Sequence, residues 1–97
     1  MYNVRELDNA NGNIVKNAFI ITVRGNEILQ SDGELVAVKF KGGEMFVAEE
    51  HHRGKVITRH LMNFFNIVKE TTFYRSVFHD DIKMVDNNRF NKLLEEL

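Results

Sequence analysis

The chemistry open to this chain starts with its histidines, His51, His52, His60 and His79, and its serines, Ser31 and Ser76. A metal site needs several N, S or O ligands at workable spacing. His51, His52 and His60 are the set to weigh, since adjacent histidines diverge on a strand but can converge in a loop. The chain has no cysteine. It also lacks His-Glu-x-x-His spacing and places no carboxylate to complete the set. The plainer reading is two loop histidines and one structural helix histidine, with no metal and no cofactor. If the His60 ring is buried it needs a hydrogen-bond partner, most simply a sheet or loop carbonyl.

Neither serine sits in a nucleophile elbow. Ser31 directly precedes a hairpin turn, where serine is common in any case. The acidic pairs Glu49-Glu50, Asp80-Asp81 and Glu95-Glu96 are neighbours in sequence, which does not set two carboxyls across a cleft. Gly42-Gly43 lacks the Lys-Ser/Thr and the helix of a phosphate loop. No catalytic residue is assigned, and the expectation is a non-enzymatic protein.

The 97 residues fit one domain, residues 1–97, with 43% hydrophobic and 28% charged residues, which is globular usage. Net charge is −1, so the positive field of a non-specific nucleic-acid binder is missing. The longest apolar runs, Ala18 to Ile21 among them, are too short to span a bilayer. The segment 1–16 is polar, asparagine-rich and unlike a signal peptide, so a soluble protein with no membrane partner is expected.

Three turn signals then follow one another, Gly25-Asn26, Asp32-Gly33 and Gly42-Gly43. They predict an α+β fold built on a four-stranded antiparallel meander within 18–49, with strands near 18–24, 27–31, 34–41 and 44–49. Two-residue loops at 25–26 and 42–43 would set Arg24 opposite Glu27 and Lys41 opposite Glu44. Val56, Ile57, His60, Leu61, Phe64, Phe65 and Val68 recur at helical spacing and predict a helix over 56–69 packed on one sheet face. Thr72 to Phe78 fits a strand or a helix equally. Asp86 can cap a carboxy-terminal helix over 86–97, with Phe90, Leu93, Leu94 and Leu97 as its stripe.

The predicted register sorts Ile20, Leu29, Val36, Val38, Phe40, Met45 and Val47 to the face under the helix at 56–69. It sends Phe19, Ile21, Val23, Ile28, Leu35, Ala37 and Phe46 to the other face. The carboxy-terminal helix is expected to cover part of that second face and leave an interface rimmed by Lys39 and Lys41. A host protein or a second copy packing sheet on sheet would complete it. Lysines beside Phe19 and Phe46 also admit a small nucleic-acid-binding regulator as the alternative. A structural oligomer without a separate target is a third reading.

Ser31, Leu35-Val36-Ala37, the following hairpin, Arg59-His60 and Phe64 carry a family resemblance. Over roughly residues 18–65 the chain resembles small uncharacterised proteins of bacteriophages and prophages. In these a Ser-Tyr dipeptide leads to a Val-Ala strand, and a Thr-Thr-x-Arg/Lys-His-x-x-x-Phe segment opens a helix. Here Asp32 stands in place of the tyrosine, Val56-Ile57 in place of the Thr-Thr pair, and His51-His52 in place of an aromatic loop. The resemblance implies a phage or prophage protein of the host cytoplasm. It further implies binding and inhibition or modulation of a host protein, as in host takeover or anti-defence, anti-CRISPR action included.

Overall fold

A computed structural model describes residues 2–9, 11–49 and 54–97. The fold is α+β. Its elements run β1 (Tyr2–Asp8), β2 (Ile14–Val23), β3 (Asn26–Ser31), β4 (Glu34–Lys39), β5 (Met45–Ala48), α1 (Lys55–Phe64), α2 (Glu70–Phe78), β6 (Lys83–Val85) and α3 (Asn87–Glu95). The strands form one six-stranded sheet in sequence order. Neighbours from β1 to β5 are antiparallel, and β6 joins β5 in parallel after the two helices.

The predicted four-stranded meander is therefore the middle of a larger mixed sheet. The polar amino-terminal segment 1–16 is mostly β1 and its hairpin to β2. Asn9 builds the connecting loop, its side chain accepting from the backbone N–H groups of Asn11 and Asn13 at 2.9 and 3.1 Å. Short side chains of this kind compete well for backbone partners in turns.

Two of the three predicted turns sit elsewhere. At the first, Arg24 and Gly25 both take positive φ, 52° and 86°, so the turn centres on 24–25 and pairs Thr22 with Glu27. The glycine occupies the second central position of a primed turn rather than the first. The resulting slip of two residues leaves every side chain on its expected face but removes the Arg24–Glu27 pair. Asp32-Gly33 turns as predicted, pairing Ser31 with Glu34. At the third, Phe40 N–H donates to Glu44 O at 2.8 Å, and Gly43, at φ 102°, closes a three-residue loop. Lys41 lies in that loop and has no cross-strand place opposite Glu44.

Between β3 and β4 the register shifts, Leu29 opposing Ala37 while Gln30 opposes Leu35. Val36 is thus the extra residue of a β-bulge, and Val36 and Ala37 both join the core under α1. Beyond the bulge β4 is inverted relative to the prediction. Val38 and Phe40 turn to the second face, and Ala37 and Lys39 to the first. The longer loop at 41–43 adds a second one-residue shift, so Met45 and Val47 return to the first face as expected.

The helix predicted over 56–69 ends at Phe64. Asn66 takes φ 57°, and the N–H groups of Asn66 and Ile67 bond back to Asn63 O and Met62 O at 3.3 and 2.8 Å. This is a Schellman stop with asparagine in the left-handed position. The ambiguous stretch Thr72 to Phe78 lies in α2, which stops the same way at Asp80, φ 59°, with Asp81 N–H on Ser76 O at 2.9 Å. Asp86 caps α3 by accepting from Arg89 N–H at 2.8 Å.

Two cores result. The first face buries Leu7, Ala18, Ile20, Leu29, Val47, Leu61, Phe64, Phe73 and Ile82 beneath α1 and α2. The second face buries Ile28, Val38, Phe46 and Ala48 beneath Phe90 and Leu93 of α3. Phe90 is 1% exposed. Phe90→Ala is expected to destabilise the fold by about 3–5 kcal/mol, the range for an aromatic truncated in a tight core, as read by denaturant unfolding. A loss below about 1 kcal/mol would show that α3 does not hold this face.

Candidate functional site

Ser31 and His60, separated by 29 positions, meet at 2.6 Å between Oγ and Nδ1. Each is only 4% exposed. Ser31 ends β3 and His60 lies on the inner side of α1, so the bond ties the β3–β4 hairpin to the helix. The partner of His60 is a hydroxyl rather than the expected carbonyl. A serine nucleophile has to reach its substrate. This one is sealed beneath α1 and is used as a hydrogen-bond anchor. Burial disfavours the imidazolium and lowers the His60 pKa from its ordinary value, while the Asp32 carboxylate acts in the opposite direction.

The remaining motif residues are mostly interior too. Val36, Ala37 and Phe64 are buried, and Arg59 faces solvent. His51 and His52 lie outside the described residues. Among the described residues no three His, Cys, Asp or Glu side chains group closely enough to hold a metal ion. No helix among them is long and apolar enough to cross a membrane.

Lys39, predicted to rim the second face, sits on the first. Its Nζ donates to Phe64 O at 2.9 Å, lies 4.7 Å from the Phe64 ring centroid and pairs with Glu27 at 3.2 Å. It satisfies one of the carbonyls that every helix leaves unpaired at its carboxyl end. Arg5 pairs with the same Glu27 at 2.8 Å. Burial alone would raise the Glu27 pKa, but hydrogen bonds and charges from Lys39 and Arg5 outweigh it and hold the carboxyl below its usual value. Lys41 is exposed in its loop, with its stem against Gly25. The pairing of lysines with Phe19 and Phe46 that admitted a nucleic-acid surface is not formed. Lys39 is on the other face and Phe46 is 5% exposed beneath α3.

Of the predicted binding face, Ile28 and Phe46 are buried by α3, and Ile21 and Val23 are half-buried at its margin. Phe19 is half-buried, and Leu35 is 36% exposed. Val4 of β1, absent from the prediction, is 55% exposed and stands opposite Ile21. Sheet width explains the remainder. Six strands at about 4.8 Å spacing span about 24 Å, whereas a helix about 10 Å across covers only part of that width. Among the described residues one helix lies on this face, and they leave the β1–β2 side open.

These features define a small α+β protein with a mixed six-stranded sheet, layered with helices on both faces and open over β1 and β2 on one of them. No family model, curated protein or solved structure matches the chain.

The pH dependence follows from His60. Its folded-state pKa lies below the unfolded value, so its contribution to stability is complete above the unfolded value, about 6.5, and is lost as pH falls towards the folded one. The melting temperature is expected to drop between pH 7 and 5 more steeply in the wild type than in His60→Gln. Equal slopes would contradict this. Ser31→Ala, which leaves Nδ1 buried without its partner, should cost about 1–3 kcal/mol.

Proposed function

We propose that this is a non-enzymatic bacteriophage or prophage protein that binds a host protein and inhibits or modulates it, in host takeover or anti-defence, anti-CRISPR action included. The phage origin and the host partner rest on the resemblance over residues 18–65. The observation that carries the binding role is the open apolar strip of Val4, Phe19 and Ile21 over β1 and β2, with Leu35 on the same face beyond Gln30. Contiguous apolar surface on a small soluble domain favours association. The residues best suited to chemistry support the same reading, since Ser31 and His60 are committed to each other inside the fold. In this reading the protein acts in the host cytoplasm by occluding its target.

This face can be tested at Leu35 without disturbing the core. Leu35→Asp alters an exposed site and is expected to change stability by less than about 1 kcal/mol. A host protein retained from bacterial lysate by the wild-type chain should then bind the variant at least about tenfold more weakly, the size expected for a desolvated contact residue. Retention of no protein by the wild type, or equal affinity for the variant, contradicts the proposal.

A further inference from the structure

Strand β1 ends the sheet, and among the described residues nothing pairs with its outer edge. An edge of this kind carries a row of unpaired backbone donors and acceptors and is a template for another strand. We infer that its occupant is the β1 strand of a second copy, joined antiparallel about a two-fold axis through Val4, so that two sheets become one.

Symmetry limits how two copies of one strand can pair. In a continuous antiparallel sheet, directly opposed residues point to the same face, and successive residues alternate faces. A two-fold axis normal to the sheet keeps each residue on its face, so one residue must oppose its own copy. The part of β1 in regular register with β2 runs from Tyr2 to Glu6, before the irregularity between Glu6 and Asp8. Its centre is Val4.

Charge selects the same centre. A pairing centred on Arg5 sets two guanidinium groups against each other, and one centred on Glu6 sets two carboxylates together. Like charges directly opposed destabilise a strand pair. Centring on Asn3 shortens the overlap. Centring on Val4 places Val4 against Val4, Asn3 against Arg5, and Tyr2 against Glu6, with no like charges opposed. Arg5 is no obstacle on the first face, because Glu27 already holds it at 2.8 Å.

The second face supplies continuity. Val4, Ile21, Ile28, Val38 and Phe46 are successive cross-strand partners, an apolar row running from the edge to β5. The row is buried at Ile28, Val38 and Phe46 and comes out to 55% exposure at Val4. Pairing about Val4 carries the row into the second copy and covers its exposed end. It also brings the two open strips side by side on one face of the dimer. The pairing stands whether or not the protein has a host target.

The absence of cysteine gives a direct test. Opposed residues in an antiparallel pair have Cα atoms about 4.5–5.5 Å apart, within disulfide reach. On mild oxidation Val4→Cys is expected to yield a disulfide-linked dimer. Glu6→Cys, offset from its own copy by about 13 Å along the strands, should not. In sedimentation over a micromolar to millimolar series, the wild type should reach twice the chain mass. Val4→Asp should sediment as a single chain, and its melting temperature should match that of the wild type at concentrations low enough for the wild type to be monomeric too. A wild type that stays monomeric throughout overturns the inference, as does a monomer that instead takes up an added extended peptide along this edge. Cross-linking of Glu6→Cys as readily as Val4→Cys also overturns it, since that marks contact without this register.

Discussion

A sheet with helices on both faces must divide each strand's side chains between two cores, and in this protein the extra residue at Val36 makes that division. Without the bulge, strict alternation from the Asp32-Gly33 turn would put Val38 and Phe40 under α1 and Lys39 under α3. With it, Val38 and Phe40 join Phe46 and Phe90 in the second core. Lys39 meets the carboxyl end of α1. The same feature brings Val36 and Ala37 onto the first face together, with Ala37 adding little bulk beside its neighbour. One irregularity therefore positions the α1 cap and the α3 seat at once, and a regular β4 could supply neither.

The ends of the helices depend on a second local device. Asn66 and Asp80 adopt left-handed conformations that break the 3.6-residue pattern and turn the chain back. Asparagine and aspartate accept that conformation with less strain than most residues other than glycine. The first stop separates α1 from α2, and the second releases the chain to run back as β6 alongside β5. A parallel partner needs a crossover connection. The two helices are that crossover, and in crossing they build the first core through Phe64 and Phe73.

Much of the central architecture was legible in the sequence because it rests on patterns of fixed period. The strands around Ile20, Leu29 and Val47, the α1 stripe through Leu61 and Phe64, and the Asp86 cap of α3 all follow from spacing. The errors lie where a single residue changes phase. Alternation in Glu34 to Lys41 does not reveal which residue is doubled, and Gly25 can serve either central position of a turn. The helix stripe continues past Phe64 to Val68 as though the helix did, because left-handed Asn66 leaves no mark on hydrophobic periodicity. β1 does carry a sequence signal, the Asn11-Gly12 turn pair between Leu7 and Ile14. β6 has three residues and, among the described residues, one neighbouring strand, too short for any period. The Ser31–His60 bond joins residues whose separation in sequence carries no local pattern.

The two faces of the sheet treat the β1 side in opposite ways. On the first face, Asn3, Thr22, Glu27, Lys39 and Met45 are successive cross-strand partners. This row is polar where α1 no longer covers it. Arg5, Glu27, Lys39 and the Phe64 carbonyl close it through charge-assisted bonds of 2.8, 3.2 and 2.9 Å. One register step away, on the other face, the row from Val4 to Phe46 is apolar throughout and, among the described residues, has no comparable seal at its outer end. The same strands could carry polar side chains at these positions, as the neighbouring row demonstrates. Packing within the chain does not require Val4 and Leu35 to be apolar, because each is more than one-third exposed, at 55% and 36%. Burying such side chains against another surface gains roughly 25 cal/mol for each Å² removed from water, a gain the single chain leaves unused. The asymmetry between a row closed by ions and a row left open and apolar is therefore the physical argument for placing contact with other molecules on the second face and its β1 margin.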